Sequence, residues 1–390
     1  MFALKKETQS IYTLTFAKLC LSSLLFSASY NMLIPELPAY LATMGGSRYI
    51  GLIIALFTLT AGLSRPFSGI LTDKVGRKPV MIFGALVCIV CGLLYPILGT
   101  VAGFLFLRLF HGFSTGFTPT AVVTYVADIV PKTRWGEAFG VQGLFFTSGL
   151  ALGPAIGSTI KLAFSYDILF YSSSVMALLS VLLVGSLRET LVQKERFVWK
   201  MLRISLRDIL AKEVFTPALL TFLAYLAFGM ALTLIPDWSD HLGIRNRGSF
   251  FLSYTVSSIL IRILAGKLSD TLGRRKMALV GLLILTLALV FMGLYASAIG
   301  LMITASLYGL AMGILSPTLS AWTIDLSFEA RRGKAVATRF IALEAGIGLG
   351  ALGSGWWYQD RYEAIPQIMM ACAFMVFVGF LYTFFLKKKS

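Results

Sequence analysis

Charge is what this chain has least of. Only 13% of its 390 residues are Asp, Glu, Lys or Arg, about half the share of an average soluble domain, and histidine occurs twice. With 57% hydrophobic residues and a mean hydropathy of +0.82, a soluble fold of this length has too little polar surface to cover itself. That excludes a globular cytosolic enzyme and a disordered chain. Cysteine is scarce too: Cys20, Cys88, Cys91 and Cys372 all fall in apolar runs, poor settings for a disulfide framework or a zinc site. They read as packing residues. The sequence lacks a phosphate-cradling glycine loop, a nucleophile elbow and a metal-ligand cluster, so neither ATP-driven pumping nor catalysis has residues to carry it. No metal and no cofactor are expected.

What is present is a succession of apolar runs. A helix needs about 20 apolar residues to cross the hydrocarbon core, and the runs between charged or turn-rich punctuation number twelve: 12–42, 49–71, 79–97, 103–127, 138–162, 167–187, 214–238, 249–270, 276–296, 299–324, 335–358 and 363–386. The expected fold is an all-α polytopic membrane protein. The first run is too long for a cleavable signal peptide and lacks a cleavage site.

The net charge of +16 would suggest nucleic acid in a soluble protein. Here the cations sit in short loops on one side. Only Arg48, Lys161, Arg245, Arg247 and Arg361 lie in loops of the opposite side, and Arg65, Arg108, Arg262 and Arg339 lie inside spans. This is the positive-inside pattern, which puts both termini in the cytoplasm. The expected partner is the lipid bilayer and not nucleic acid, and the expected location is the inner (cytoplasmic) membrane.

The cation-rich stretch 189–213 divides an N-terminal unit, 1–188, from a C-terminal unit, 214–390, of six spans each. Within it, Trp199 to Ile209 reads either as an amphipathic interfacial helix or as a solvated linker. A constant offset then carries Gly69 onto Gly266, Asp73 onto Asp270, Gly76 onto Gly273, Arg77 onto Arg274 and Asp128 onto Asp325. The same offset carries Arg65 onto Arg262, Arg134 onto Arg331, Gly149 onto Gly346 and Gly153 onto Gly350. Two parallel six-helix repeats are a known layout of secondary transporters.

The segment from Gly69 through Asp73 to Gly76-Arg77-Lys78, with its copy from Gly266 through Asp270 to Gly273-Arg274-Arg275, resembles the signature loop of the major facilitator superfamily. The resemblance covers essentially the whole chain. It implies two pseudo-symmetric six-helix bundles around a central cavity, moving a small-molecule solute by alternating access without chemical change, and a monomer. It further implies a conformational latch: Asp73 capping the cytoplasmic start of the eleventh span and Arg77 pairing with Asp128, repeated as Asp270, Arg274 and Asp325.

Two more segments narrow the class. Arg108 to Gly112 resembles the family's fourth-span motif, with His111 where Gln is usual. Gly149-Leu-Ala-Leu-Gly153-Pro154-Ala-Ile-Gly157 resembles the fifth-span motif of twelve-span drug/proton antiporters, with Ser158 in place of the closing glycine. Gly149, Gly153 and Gly157 share one helical face, which lets a neighbouring helix approach closely. Ser64-Arg65-Pro66 and Arg134 to Ala138 add a likeness to the arabinose-efflux-permease-like branch.

Charges at membrane depth cost roughly 2.5–3.5 kcal/mol each on insertion scales unless paired or hydrated. The cations are Arg65, Arg108, Arg262 and Arg339; the acids are Glu36, Asp237 and Glu344. Glu344 lies nearest the bilayer middle, where lost hydration favours a protonated carboxyl, and is the leading candidate for a proton carrier. Glu36 and Asp237 follow prolines near the extracellular ends and are candidate carriers or outer-gate residues. His111 is a further candidate, since histidine changes charge near neutral pH. Tyr30, Asn31, Gln142, Tyr225 and Trp322 are candidate cavity residues beside the four arginines. Three functions remain open: proton-coupled efflux of a small organic or amphipathic solute, proton-coupled nutrient uptake, and translocation of a lipid or its precursor.

Overall fold

The structure is a computed structural model that describes residues 11–131, 135–202, 210–327 and 332–386. Within these ranges the side chains at 135–137, 139, 200, 202, 263, 264, 266, 267, 270, 271, 332–334 and 337 are outside the description. The helices are α1 (Leu14–Asn31), α2 (Leu37–Thr43), α3 (Ile50–Lys74), α4 (Arg77–Leu94), α5 (Val101–Ile129), α6 (Trp135–Ala163) and α7 (Tyr166–Gly185). After the connection come α8 (Phe215–His241), α9 (Ser249–Leu272), α10 (Arg274–Leu294), α11 (Ala298–Leu326), α12 (Arg332–Tyr358) and α13 (Ala364–Phe385).

All except α2 have at least 18 residues, close to the length a membrane crossing needs. By length and composition alone, eight of the described helices are apolar enough to cross. The four long helices that fall short, α1, α5, α9 and α12, carry Asn31, Arg108 with His111, Arg262, and Arg339 with Glu344. The expected first span is broken between Met32 and Glu36, and Pro38 sits in the first turn of α2. A proline removes a backbone donor and is best placed at a helix start. Of the stretch read as an interfacial helix, residues 203–209 lie outside the description, and Trp199–Leu202 form a short 3-10 turn.

Side-chain caps set four helix starts: Thr13, Thr100, Ser165 and Ser297 each accept from a backbone N–H three residues on, a bond that satisfies an otherwise orphaned donor. Two turns of the signature loops need glycine, because Gly76 and Gly273 hold φ at +140° and +90°, where a Cβ is strained.

The packing follows the repeat. α1 packs on α6 and α8 on α12; α3 packs on α5 and α9 on α11; α4 packs on α7 and α10 on α13. Close approach is made by the glycines. A Cβ at Gly149 would stand 2.5 Å from Leu24 O and one at Gly153 2.9 Å from Ala28 O, while Gly157 abuts Met32 O. On α12, Gly346 and Gly350 meet Phe222 O and Leu226 O of α8 in the same way. Between the first and second halves, α3 runs along α12 and α6 along α9.

On the face that carries the described chain ends, Ile11 and Leu386, Arg77 Nε donates to Asp128 Oδ2 at 2.9 Å, and Arg274 Nε to Asp325 Oδ2 at 2.8 Å. Glu189, just past α7, accepts from the backbone N–H groups of Arg77, Lys78, Thr190 and Leu191 at 2.9–3.1 Å. It therefore caps the start of α4. Burial acts to raise the Glu189 pKa, but these four donors outweigh it and hold the carboxyl below its ordinary 4.5. A depressed carboxyl contributes stability above its unfolded value, about 4.3, and loses it as pH falls through the folded value. Glu189→Gln is expected to cost about 0.5–1 kcal/mol at pH 7, the lower part of the capping range because the group is half-exposed. Thermal unfolding in detergent checks this: the gap between variant and parent closes as pH drops below about 4.

Candidate functional site

The candidate functional surface is the seam between the two halves. From the face opposite the termini inward, α3 and α12 meet through small residues. A Cβ on Gly51 would stand 2.6 Å from Ala351 O, one on Gly348 2.7 Å from Thr58 Oγ1, and one on Gly62 3.3 Å from Glu344 Cβ. Close backbone approach of this kind leaves no room for water. It delivers two charged side chains to each other at mid-depth: Arg65 Nη2 donates to Glu344 Oε1 at 2.6 Å, and its Nε to the same oxygen at 3.2 Å. The pair is largely buried, with side-chain exposures of 17% and 9%. Arg65 also stacks over Phe340 at 4.7 Å, and Arg339 lies over the same ring at 4.7 Å.

The repeat-related seam, α6 against α9, holds the matching pair. Arg262, mate of Arg65, donates from Nη1 to Thr147 Oγ1 at 3.3 Å. Thr147 occupies the position that Glu344 holds in the second half. At this depth, among the described residues, one seam is thus bridged by an ion pair and the other by a neutral acceptor.

A second charged layer lies at the face opposite the termini. Arg247, before α9, reaches across to Glu36 Oε2 at 3.3 Å and also pairs with Asp240 of α8. Ser158 of α6 donates to Glu36 Oε1 at 2.7 Å, so the residue standing in place of the motif's closing glycine completes this cluster. Asn246 Nδ2 donates to Thr159 Oγ1 at 3.2 Å, and Gly248 packs on Pro154. Asp237 is half-buried on α8 and makes no hydrogen bond among the described residues. Among those residues, every hydrogen bond and ion pair joining α1–α7 to α8–α13 lies between this layer and the Arg65 layer. These contacts join the two halves at the face opposite the termini.

Several of the expected site residues turn elsewhere. Arg108, 1% exposed, donates to Ile53 O at 2.9 Å and Tyr95 Oη at 3.3 Å and lies over the Phe57 ring. His111 is fully buried between Tyr95 Oη and Cys88 Sγ. Asn31 donates to Ser27 O, and Gln142 to Ser23 Oγ. All four are satisfied within the first half, because a buried polar side chain takes the nearest partner that satisfies it. Tyr30 stacks with Phe57, and Tyr225 packs on Phe228 beside Arg339; Trp322 is half-buried on α11. Asp73 is exposed, with no hydrogen bond or ion pair among the described residues. The side chain of Asp270 and all of Arg134 and Arg331 lie outside the description. Sequence reasoning passed over Phe340, Thr147, Asp240 and Arg247. The repeat offset does align Thr147 with Glu344, whereas Arg247 reads only as a loop cation.

The Major Facilitator Superfamily profile matches residues 19–244 and again 217–390. The multidrug resistance efflux pump PmrA of Streptococcus pneumoniae is 27% identical over 372 residues, 89% of this chain and 90% of that protein. The multidrug resistance protein MdtG of Citrobacter koseri is 27% identical over 77% of each chain. Among solved structures, the human organic anion transporter MFSD10 superposes with a TM-score of 0.74 at 19% identity, covering 95% of this chain and 98% of that one. A point mutant of the nucleoside transporter NupG gives 0.76 at 14% identity, covering 95% and 99%. With the profile matched across both halves and the twelve long helices packed as in these transporters, the chain belongs to the major facilitator superfamily of membrane transporters.

Proposed function

We propose that the protein expels a small organic solute from the cell in exchange for protons, by alternating access between two six-helix bundles, 1–188 and 214–390, joined by 189–213. The observation that carries this reading is the Arg65–Glu344 pair, a carboxylate–guanidinium ion pair spanning the two halves at mid-depth. A carboxyl that holds a proton gives up its claim on the guanidinium, so protonation and closure of this seam act on one equilibrium. The naming of PmrA as a multidrug resistance efflux pump and of MdtG as a multidrug resistance protein supports export as the direction.

In this reading both termini face the cytoplasm of an inner-membrane protein, and the cluster of Glu36, Ser158, Arg247 and Asp240 is the outer gate, closed while the cavity faces the cytoplasm. Asp73, which has no partner among the described residues, takes up its capping role in the other conformation of this reading, in which the bundles close at the cytoplasmic side. Arg77–Asp128 and Arg274–Asp325 hold the two signature loops ready for it.

Reconstituted vesicles test the coupling independently of protein orientation. Protons leaving an acidic lumen through an antiporter bring solute in, whereas a symporter concentrates solute in an alkaline lumen. A panel of cationic, neutral and anionic fluorescent amphipaths is expected to yield one that accumulates in acid-lumen vesicles above protein-free controls and is released by nigericin. Accumulation only in alkaline-lumen vesicles makes the protein a symporter, and accumulation indifferent to the gradient removes protons from the cycle.

A further inference from the structure

We infer that the solute is an anion, an amphipathic molecule whose carboxylate, sulfonate or phosphate group is held between the halves by Arg339 and Arg262. This rests on the reading of the mid-depth seam as the transport site, and it concerns which molecules that site takes.

The charge count at this depth does not balance. Arg65 and Arg339 share the Phe340 ring and Arg262 lies on the repeat-related α6–α9 seam, while Glu344 is the acid at this level among the described residues, already taken by Arg65 through two of its nitrogens. Arg339 is 7% exposed yet forms no hydrogen bond or ion pair with a described residue. Its contact is the Phe340 ring, which Arg65 shares, so two guanidinium groups sit over one aromatic and repel each other. The Nε of Arg262 is buried with no partner among the described residues, and its one bond is the long one from Nη1 to Thr147.

Repeat symmetry sharpens the point. Where the α3–α12 seam has a carboxylate, the α6–α9 seam has the hydroxyl of Thr147. At the opposite face, Glu36 and Asp240 are engaged by Arg247, and Asp237 of α8 lies near the same arginine in that layer.

Burying guanidinium groups without counter-ions in a membrane is costly, and such groups are retained where a function uses them. Guanidinium forks match the oxygens of carboxylate and phosphate in paired, charge-assisted bonds. A cation entering this layer meets net positive charge with no free acid among the described residues to accept it. An anion supplies what Arg339 and Arg262 lack. Tyr225 beside Arg339, with Phe340 and Tyr30 nearby, offers faces for the solute's apolar part.

Three dansyl probes that differ in charge test this: dansylglycine (anionic), dansylamide (neutral) and dansylcadaverine (cationic), with binding followed by fluorescence on the purified full chain in detergent, without a pH gradient. The parent is expected to bind dansylglycine at least about tenfold more tightly than dansylcadaverine, the factor a charge-assisted hydrogen bond corresponds to. Arg339→Gln loses about tenfold in dansylglycine affinity with no loss for dansylcadaverine, and Arg339→Lys, which keeps the charge, recovers part of it. Arg262→Gln serves as the second variant if Arg339→Gln fails to fold. A parent that prefers the cation or the neutral probe, or fails to bind the anion, overturns the inference. So does anion affinity that is unchanged in both glutamine variants. Because no proton gradient is present, anion binding without proton-driven accumulation defeats the coupling proposal alone.

Discussion

Glu344→Gln is expected to exchange solute across a vesicle membrane at near-parental rates and to lose all accumulation driven by a pH gradient. Glutamine keeps the shape and one hydrogen-bond acceptor of a protonated glutamate but never takes up or releases a proton. In the proposed cycle, Glu344 alternates between a charged state paired with Arg65 across the α3–α12 seam, the arrangement seen here, and a protonated, unpaired one. Proton flow is tied to solute flow only if both states occur within one cycle. The variant is locked in the neutral state, so the seam opens and closes without a proton.

The substitution also leaves Arg65 without its counter-charge. Losing one partner of a fully buried pair costs about 3–5 kcal/mol; here the cost is smaller, since Arg65 keeps 17% exposure and the Phe340 face. The pair Arg65→Gln with Glu344→Gln should recover the melting temperature lost by Glu344→Gln, while proton-driven accumulation stays absent. That split separates a structural effect from a coupling one. A Glu344→Gln protein that still concentrates solute against a gradient places the proton on another group, with Glu36, Asp237 and His111 next to be replaced.

Gly153→Leu is expected to abolish transport and to lower the melting temperature in detergent more than any other single change considered. Its α-hydrogen faces the backbone of α1, where a Cβ would meet Ala28 O at 2.9 Å and Met32 N at 3.1 Å. These are backbone atoms of a helix held in turn by α7, so they do not yield as a side-chain tip does. Even Gly153→Ala forces the helices apart. An added methyl at such a contact costs typically about 1–3 kcal/mol, against which the better helix propensity of alanine returns about 1 kcal/mol.

Gly353, on α12, has open space around it, so Gly353→Ala gains the propensity term without the clash and should be neutral or slightly stabilising. Measuring both alanine variants side by side tests whether α6 and α1 pack through this face. Parental stability and exchange in Gly153→Leu would show that they do not.

The membrane environment, the long helices and the repeat could all be read before any coordinates. They follow from quantities that are local or periodic: a deficit of charge, apolar runs of bilayer length, and one offset that returns Gly76 as Gly273 and Arg77 as Arg274. The turn glycines were legible because a positive φ excludes most other residues, and the α6 stripe because glycines four apart share a helical face.

Which charges meet was a different matter. Arg65 and Glu344 are far apart in the chain, and nothing in either neighbourhood marks the other. Arg108 and Arg339 are equal candidates on the sequence; the crossing of the helices sends Arg108 to a carbonyl of α3 and leaves Arg339 beside no acid among the described residues. The opposite-face cluster shows the same limit, for Arg247 reads as one more loop cation until the fold sets it against Glu36. Pairing energies depend on distances of a few ångströms and on exclusion of water. Both arise from the way helices cross, so the membership of the site is a property of the packed bundle and not of any one segment.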